Sequence, residues 1–404
     1  MGTARIKPFF LTTMLLFLLA PSSTWGFQIS PCLRILTYKP GELGQVPINL
    51  YNQCALFPQK TGLAVHEHLT NFAIDEYRGH GFIRTAQVLS ATHSIAKQKN
   101  EYRRTQNDWY IRNPERLHST SDLIYGSWWN DDPLMLLWGE GGDLYTGSKA
   151  FAKFFDGPTQ SHYPGGVEYC KVPRAQSLGW NTHFGALQHL HFMSEAVKAD
   201  TTTDRIDDTL GKSLEWIEYA YKVATLKIAF DAKLTSEDLA KLRLPSIVAN
   251  LCLKDDRYVT VRTLFSRVDF QDERRKKMVP DVALGSIFHV LQDSFSPAHT
   301  CRVEEAVNGK QYATLIEVYN YNDQVKEKNG KENHTKLDLY PQWLLDYSRT
   351  GVHKYENDPV SVGAWLLDAV DTGKEWPEVR DHLLNTAFKK ASSQRLEGVS
   401  CIGT

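Results

Sequence analysis

The residues best suited to chemistry in this chain of 404 are its 14 His, because a neutral imidazole is the commonest protein ligand for a metal ion. Their sharpest setting is Gly285-Ser-Ile-Phe-His-Val-Leu-Gln-Asp-Ser-Phe-Ser-Pro-Ala-His299. His289 and Asp293 stand at i and i+4, so on a helix they project from one face a turn apart and can converge on one ion. Pro297 breaks the helix and leaves His299 able to fold back. Imidazole nitrogen and carboxylate oxygen are what zinc accepts, at about 2 Å. The competing use is a core His hydrogen-bonded to an Asp of its own helix. His334 and Asp338 repeat the His-x3-Asp spacing downstream. Asn333-His334-Thr335 also matches a glycosylation sequon, but a glycan beside a ligand would obstruct the site, so the sequon is set aside.

Upstream, Ala64-Val-His-Glu-His-Leu-Thr-Asn-Phe-Ala-Ile-Asp75 places His66 beside the apolar stripe of Leu69 and Ala73, while His68 points further round. A ligand inside a helical core is therefore His66. The next cluster, Asn181-Thr-His-Phe-Gly-Ala-Leu-Gln-His-Leu-His191 followed by Glu195, offers competing sets. His183 precedes a helix that would carry His189, His191 and Glu195, and composition does not choose among them. Asp131 and Asp132 follow a paired Trp128-Trp129 and lead into Pro133, a pattern that also suits a solvated turn.

These residues need elements to position them, and the apolar patterning after residue 60 has helical period. Leu63, Val65, Leu69, Phe72 and Ala73 step as i, i+3, i+4, and so do Leu284, Ile287, Phe288 and Leu291. Residues 213–232, 236–244 and 359–370 read the same way, and strand-like alternation is sparse. Segments 28–60 and 139–166 are rich in Pro, Gly or aromatics and read as irregular. The fold class is mostly α: a single helical domain with loop insertions over 61–404, preceded by a leader (1–26) and an N-terminal loop segment (27–60). Hydrophobic residues at 42% and charged ones at 23% exclude disorder and coiled coil, and a net charge of -1 gives no global field toward polyanions.

The leader has Arg5 and Lys7, an apolar run over 9–20, then small and polar residues up to Trp25-Gly26. This is the layout of a signal peptide, cut near Gly26 or after Thr24, and it implies secretion or periplasmic residence. The run is well short of the roughly 20 residues a membrane span needs. Six Cys in an exported chain predict disulfides, including a possible Cys32–Cys54 closure of the N-terminal segment, although six allow 15 pairings. No Cys-x-x-Cys occurs, so any metal must be held by His and carboxylates.

Taken in order, His66, Asp131, His183, His289-x3-Asp293-x5-His299 and His334-x3-Asp338 resemble the zinc-dependent phospholipase C and S1/P1 nuclease superfamily. His66-x4-Asn-x-Ala-Ile-Asp is similar to the first helix of the bacterial phospholipases. Leu-Ile-Tyr-Gly-Ser-Trp-Trp-Asn-Asp, ending at Asp131, looks like the family's Gly-Ala-x-x-Glu-Asp segment. The resemblance spans residues 61–345 in scattered motifs. It implies a helical fold and two or three zinc ions: one on Asp131, His183, His289 and Asp293, one on His299, His334 and Asp338, and a third on His66 and the far oxygen of Asp293. In the family an N-terminal Trp completes the third ion. Here the candidate, Trp25, lies far before His66 with the Cys32 to Cys54 segment between. The interval from His183 to His289 looks long for the family, which marks residues 200–275 as an insertion.

Zinc ions a few Å apart would polarise a phosphodiester and lower the pKa of bound water toward about 7, with Asp131 as the candidate catalytic residue that orients that water or takes its proton. The neutral charge and Trp128-Trp129, read as an aromatic face for a quaternary ammonium, favour phospholipase C acting on phospholipid at a membrane surface. No nucleic acid and no protein partner are expected. The alternatives are a single-strand nuclease and a non-catalytic exported zinc-binding protein.

Overall fold

The computed structural model describes residues 65–79, 120–133, 181–183, 185–195, 202–233, 260–266, 271–321, 337, 341–392 and 400–403. The expected signal peptide, Cys32, Cys54, Trp25, His334, Asp338 and the expected helix at 236–244 lie outside the described residues. Those described are mostly helical: α1 (Val65–Tyr77), α2 (Thr120–Gly126), α3 (Thr202–Ala224), α4 (Val261–Phe265), α5 (Asp272–Asp293), α6 (Gln342–Thr350), α7 (Pro359–Thr372) and α8 (Trp376–Asn385), with one antiparallel hairpin of β1 (Thr300–Val307) and β2 (Lys310–Val318). None of these helices is long and apolar enough to cross a membrane.

Helix α5 is the centre. Asp272 and Glu273 sit in its first turn, where carboxylates offset the positive end of the helix dipole. From Asp281 to Asp293 every residue is buried, so this half is surrounded on all sides instead of lying on a surface. Helices α1, α2, α3 and α7 pack round it. The α2–α5 crossing is made by two glycines: a Cβ on Gly285 would stand 2.3 Å from the Leu123 carbonyl oxygen, and one on Gly126 would stand 2.4 Å from that of Val282. Main chains touch there, which brings the turn after α2 against the face of α5 that carries His289. Gly363 plays a similar part for α7, where a Cβ would meet Phe288 at 2.8 Å and Ala73 at 3.0 Å.

Helix α7 has a complete set of local signals. Asp358 caps it by accepting from the N–H groups of Val360 and Ser361, Pro359 opens its first turn, and Gly373 ends it at φ 69°. Helix α3 lies within the stretch expected to be an insertion, and its Trp216, Ile217, Ala220 and Val223 are part of the core.

The hairpin is the main departure from the helical reading. Its turn is Asn308-Gly309, with φ of 53° and 76°, the pair of positive values a two-residue turn of this hand needs and that Asn-Gly supplies most readily. Arg302 on β1 anchors the chain entering the hairpin. Its guanidinium lies over the Phe295 ring at 3.7 Å. It donates to the carbonyls of Ser294 (2.6 Å), Ala313 (2.7 Å) and Ala387 (2.7 Å), tying the end of α5 to β2 and to the segment that follows α8. A disulfide joins Cys301 to Cys401 across a separation of 100 residues.

Candidate metal centre

The site is assembled where α1, the turn after α2, the segment 181–191 and the end of α5 meet. Helix α5 places His289 and Asp293 one turn apart, with His289 Nε2 2.8 Å from Asp293 Oδ2. The chain then turns sharply: Ser296 N–H donates to the Asp293 carbonyl at 3.0 Å and His299 N–H to that of Ser296 at 3.0 Å. His299 thus returns beside the cluster at the start of β1. Helix α1 brings His66 Nε2 to 3.4 Å from Asp293 Oδ1 and stacks its ring on that of His289. Asp131 comes from the tight turn following α2, which Asn130 secures by donating to the Leu190 carbonyl at 2.6 Å.

His183 and His191 both enter. His183 Nε2 is 3.6 Å from Asp131 Oδ1, and His191 Nδ1 lies 3.9 Å from the same oxygen and 3.0 Å from Asp293 Oδ2. Residues 188–191 form a 3-10 turn, not the helix expected there. At three residues per turn, neighbours two apart diverge, so His191 faces the cluster and His189 does not. Glu195 is also elsewhere, paired with Lys212 at 3.3 Å. Three groups have ligand atoms mutually within 4.8 Å: His66 with Asp131 and His289, Asp131 with His183 and His191, and His191 with His289 and Asp293. These buried groups could hold a metal ion.

The imidazole anchors fit that use. His289 Nδ1 lies 2.8 Å from the Ser127 carbonyl oxygen, His299 Nδ1 2.6 Å from that of His191, and His66 Nδ1 2.6 Å from Gln292 Oε1. Each Nδ1 then carries the proton and donates, which leaves Nε2 unprotonated, the state in which imidazole binds an ion. Such outer partners are the rule for ligating His. Two buried atoms, Asp131 Oδ2 and His191 Nε2, make no hydrogen bond, a condition that costs about 1–3 kcal/mol per group and that a cation would relieve.

The electrostatics separate the two carboxylates. Burial, with a like-charge contribution from Asp293, pushes Asp131 up to about 7 against the pull of His191 and His66. Burial would raise Asp293 too, but His289, His299 and His191 hold it well below the usual carboxylate range. Burial lowers His289 to about 3 and His299 to about 4 despite Asp293. In His66 the same burial is outweighed by Asp293 and Asp131, and its pKa rises.

Of the expected ligands, His66, Asp131, His183, His289 and Asp293 therefore come together, and His299 adjoins them. His191, offered by the sequence only as one of several choices, joins them as well. Trp128 and Trp129, expected to face substrate, have no exposed surface. Trp129 is stacked on Trp216 with centroids 5.2 Å apart and donates its indole N–H to the Leu264 carbonyl at 2.9 Å. The correction has a simple cause: the turn presents Asp131 on one side, and the indoles fill the core on the other. Comparison with known proteins finds no matching family model, no matching curated protein and no matching solved structure.

Proposed function

We propose that the chain is a zinc-dependent phosphodiester hydrolase acting on phospholipid as a phospholipase C, exported through its N-terminal leader. The observation that carries this reading is the buried meeting of Asp131 and Asp293 with His66, His183, His191 and His289, with Nδ1 of His66 and His289 anchored so that Nε2 faces inward. Imidazole and carboxylate without thiolate form a donor set suited to zinc. Bound there, zinc would act as a Lewis acid toward a phosphoryl oxygen and make hydroxide available at neutral pH. The residues of the chain supply the rest. Asp293 directs one oxygen toward His66 and the other toward His289 and His191. Asp131, with Oδ2 making no hydrogen bond, is the group placed to orient a water or accept its proton.

Phospholipid is preferred over nucleic acid because a formal net charge of -1 provides no general basic field for a polyanion. Head-group recognition cannot come from the buried Trp pair, so it belongs to other side chains. The Cys301–Cys401 disulfide supports passage through an oxidising compartment. The test measures zinc per chain, then phosphocholine released from phosphatidylcholine vesicles and nucleotide released from single-stranded DNA, each before and after chelation. Two or three zinc ions with chelator-sensitive phosphocholine release are expected. Nucleotide release alone would establish the nuclease, and no more than one tightly held ion with neither activity a binding protein.

A further inference from the structure

We infer that Gln292 is a positioning residue that sets the metal affinity of the His66 side of the cluster. The inference rests on the metal-centre reading above and deepens it. Gln292 directly precedes Asp293 on α5 and is fully buried. Its Oε1 accepts a hydrogen bond from His66 Nδ1 at 2.6 Å, while its Nε2 donates to Thr70 Oγ1 at 2.9 Å. His66 and Thr70 are one turn apart on α1, so the amide is held at both ends by that helix and cannot swing. An amide oxygen only accepts. His66 is thereby fixed as the tautomer with its proton on Nδ1, its Nε2 lone pair directed to the Asp293 Oδ1 side at 3.4 Å.

His289 and His299 are anchored by main-chain carbonyls, those of Ser127 and His191, which no side-chain substitution removes. The anchor of His66 is a side chain. It is therefore the place in this trio where ion affinity can be tuned without altering a ligand, and one residue of α5 couples the orientation of His66 to the position of Asp293.

The experiment is zinc affinity by competition with a chromophoric chelator, with zinc content per chain by mass spectrometry, on wild type, Gln292→Met, Gln292→Glu and Thr70→Val. Met keeps the unbranched shape without the acceptor. It is expected to weaken one ion by about 10–100-fold while the remaining content persists, and Glu, which still accepts from Nδ1, is expected to retain wild-type affinity or exceed it. Affinity within twofold of wild type in Gln292→Met overturns the inference, and so does equal weakening in Gln292→Glu, which would mean that the amide donates to the ring. Should Gln292→Met fail to fold by circular dichroism, Thr70→Val decides, since it loosens the far end of the amide alone: several-fold weakening supports the inference and no change overturns it. A wild-type chain that binds no zinc overturns the metal-centre reading itself, a separate result.

Discussion

Asp293 faces four imidazoles at once, with Oδ2 2.8 Å from His289, 3.0 Å from His191 and 3.6 Å from His299, and Oδ1 3.4 Å from His66. Asp131 has the opposite character, its pKa pushed up to about 7 by burial. This division predicts different outcomes at two similar residues. Asp131→Asn should abolish phosphodiester turnover while keeping most bound zinc, whereas Asp293→Asn should lose zinc itself; metal analysis beside a turnover assay separates them. His191→Ala should likewise reduce zinc content, and His189→Ala should not, because the 3-10 turn directs only residue 191 into the cluster. The pair His289 and Asp293 was legible in the sequence because helical period dictates that i and i+4 share a face. His191 was not, since His189 and His191 point to different sides of their segment and the sequence does not say which side meets α5. Trp128 and Trp129 misled for a related reason: an indole beside a functional Asp looks the same in sequence whether it faces ligand or core.

At the scale of elements, the site depends on how closely α2 approaches α5. Gly285→Ala would drive a methyl group into the Leu123 carbonyl and push the two helices apart, at a cost of about 1–3 kcal/mol. It should also weaken zinc binding, because the Ser127 carbonyl that orients His289 moves with α2. Urea unfolding and metal competition would check both parts. Helix α1 is fastened at its other end by His353, which lies 2.9 Å from Glu76 and 2.6 Å from Asp358, the capping residue of α7. Burial disfavours its charge, but the hydrogen bonds to Asp358 and Glu76 prevail and push its pKa up to about 10. A folded value above the unfolded one of about 6.5 makes this stabilisation complete below pH 6.5 and lost as pH rises through about 10. His353→Gln should therefore be less stable than wild type by about 1–3 kcal/mol at pH 6, the difference shrinking toward pH 10; a constant difference would assign it to packing. The helices were readable because long apolar stripes declare themselves. The hairpin was not legible, although Asn308-Gly309 signals one, because its β1 residues alternate only weakly.

At the scale of the whole molecule, and among the described residues, the His and Asp cluster is one of several buried polar groups in the core, with Asp122, Arg275, Arg302 and Asn357 buried elsewhere. That the chain forms disulfides was legible from an even count of Cys; which Cys pair was not, because pairing depends on a tertiary fold that joins positions 100 residues apart. Replacing both Cys301 and Cys401 by Ser should cost about 5 kcal/mol for a loop of this length, read as a lowered midpoint in urea. The same bond sets an order of events during synthesis. Residue 301, two positions after His299, leaves the ribosome long before residue 401, so its thiol must wait for the rest of the chain. The corner that carries His299 is then locked only when residue 401 has been made, and a product stopped short of it keeps its site-bearing helix but not the covalent link beside His299.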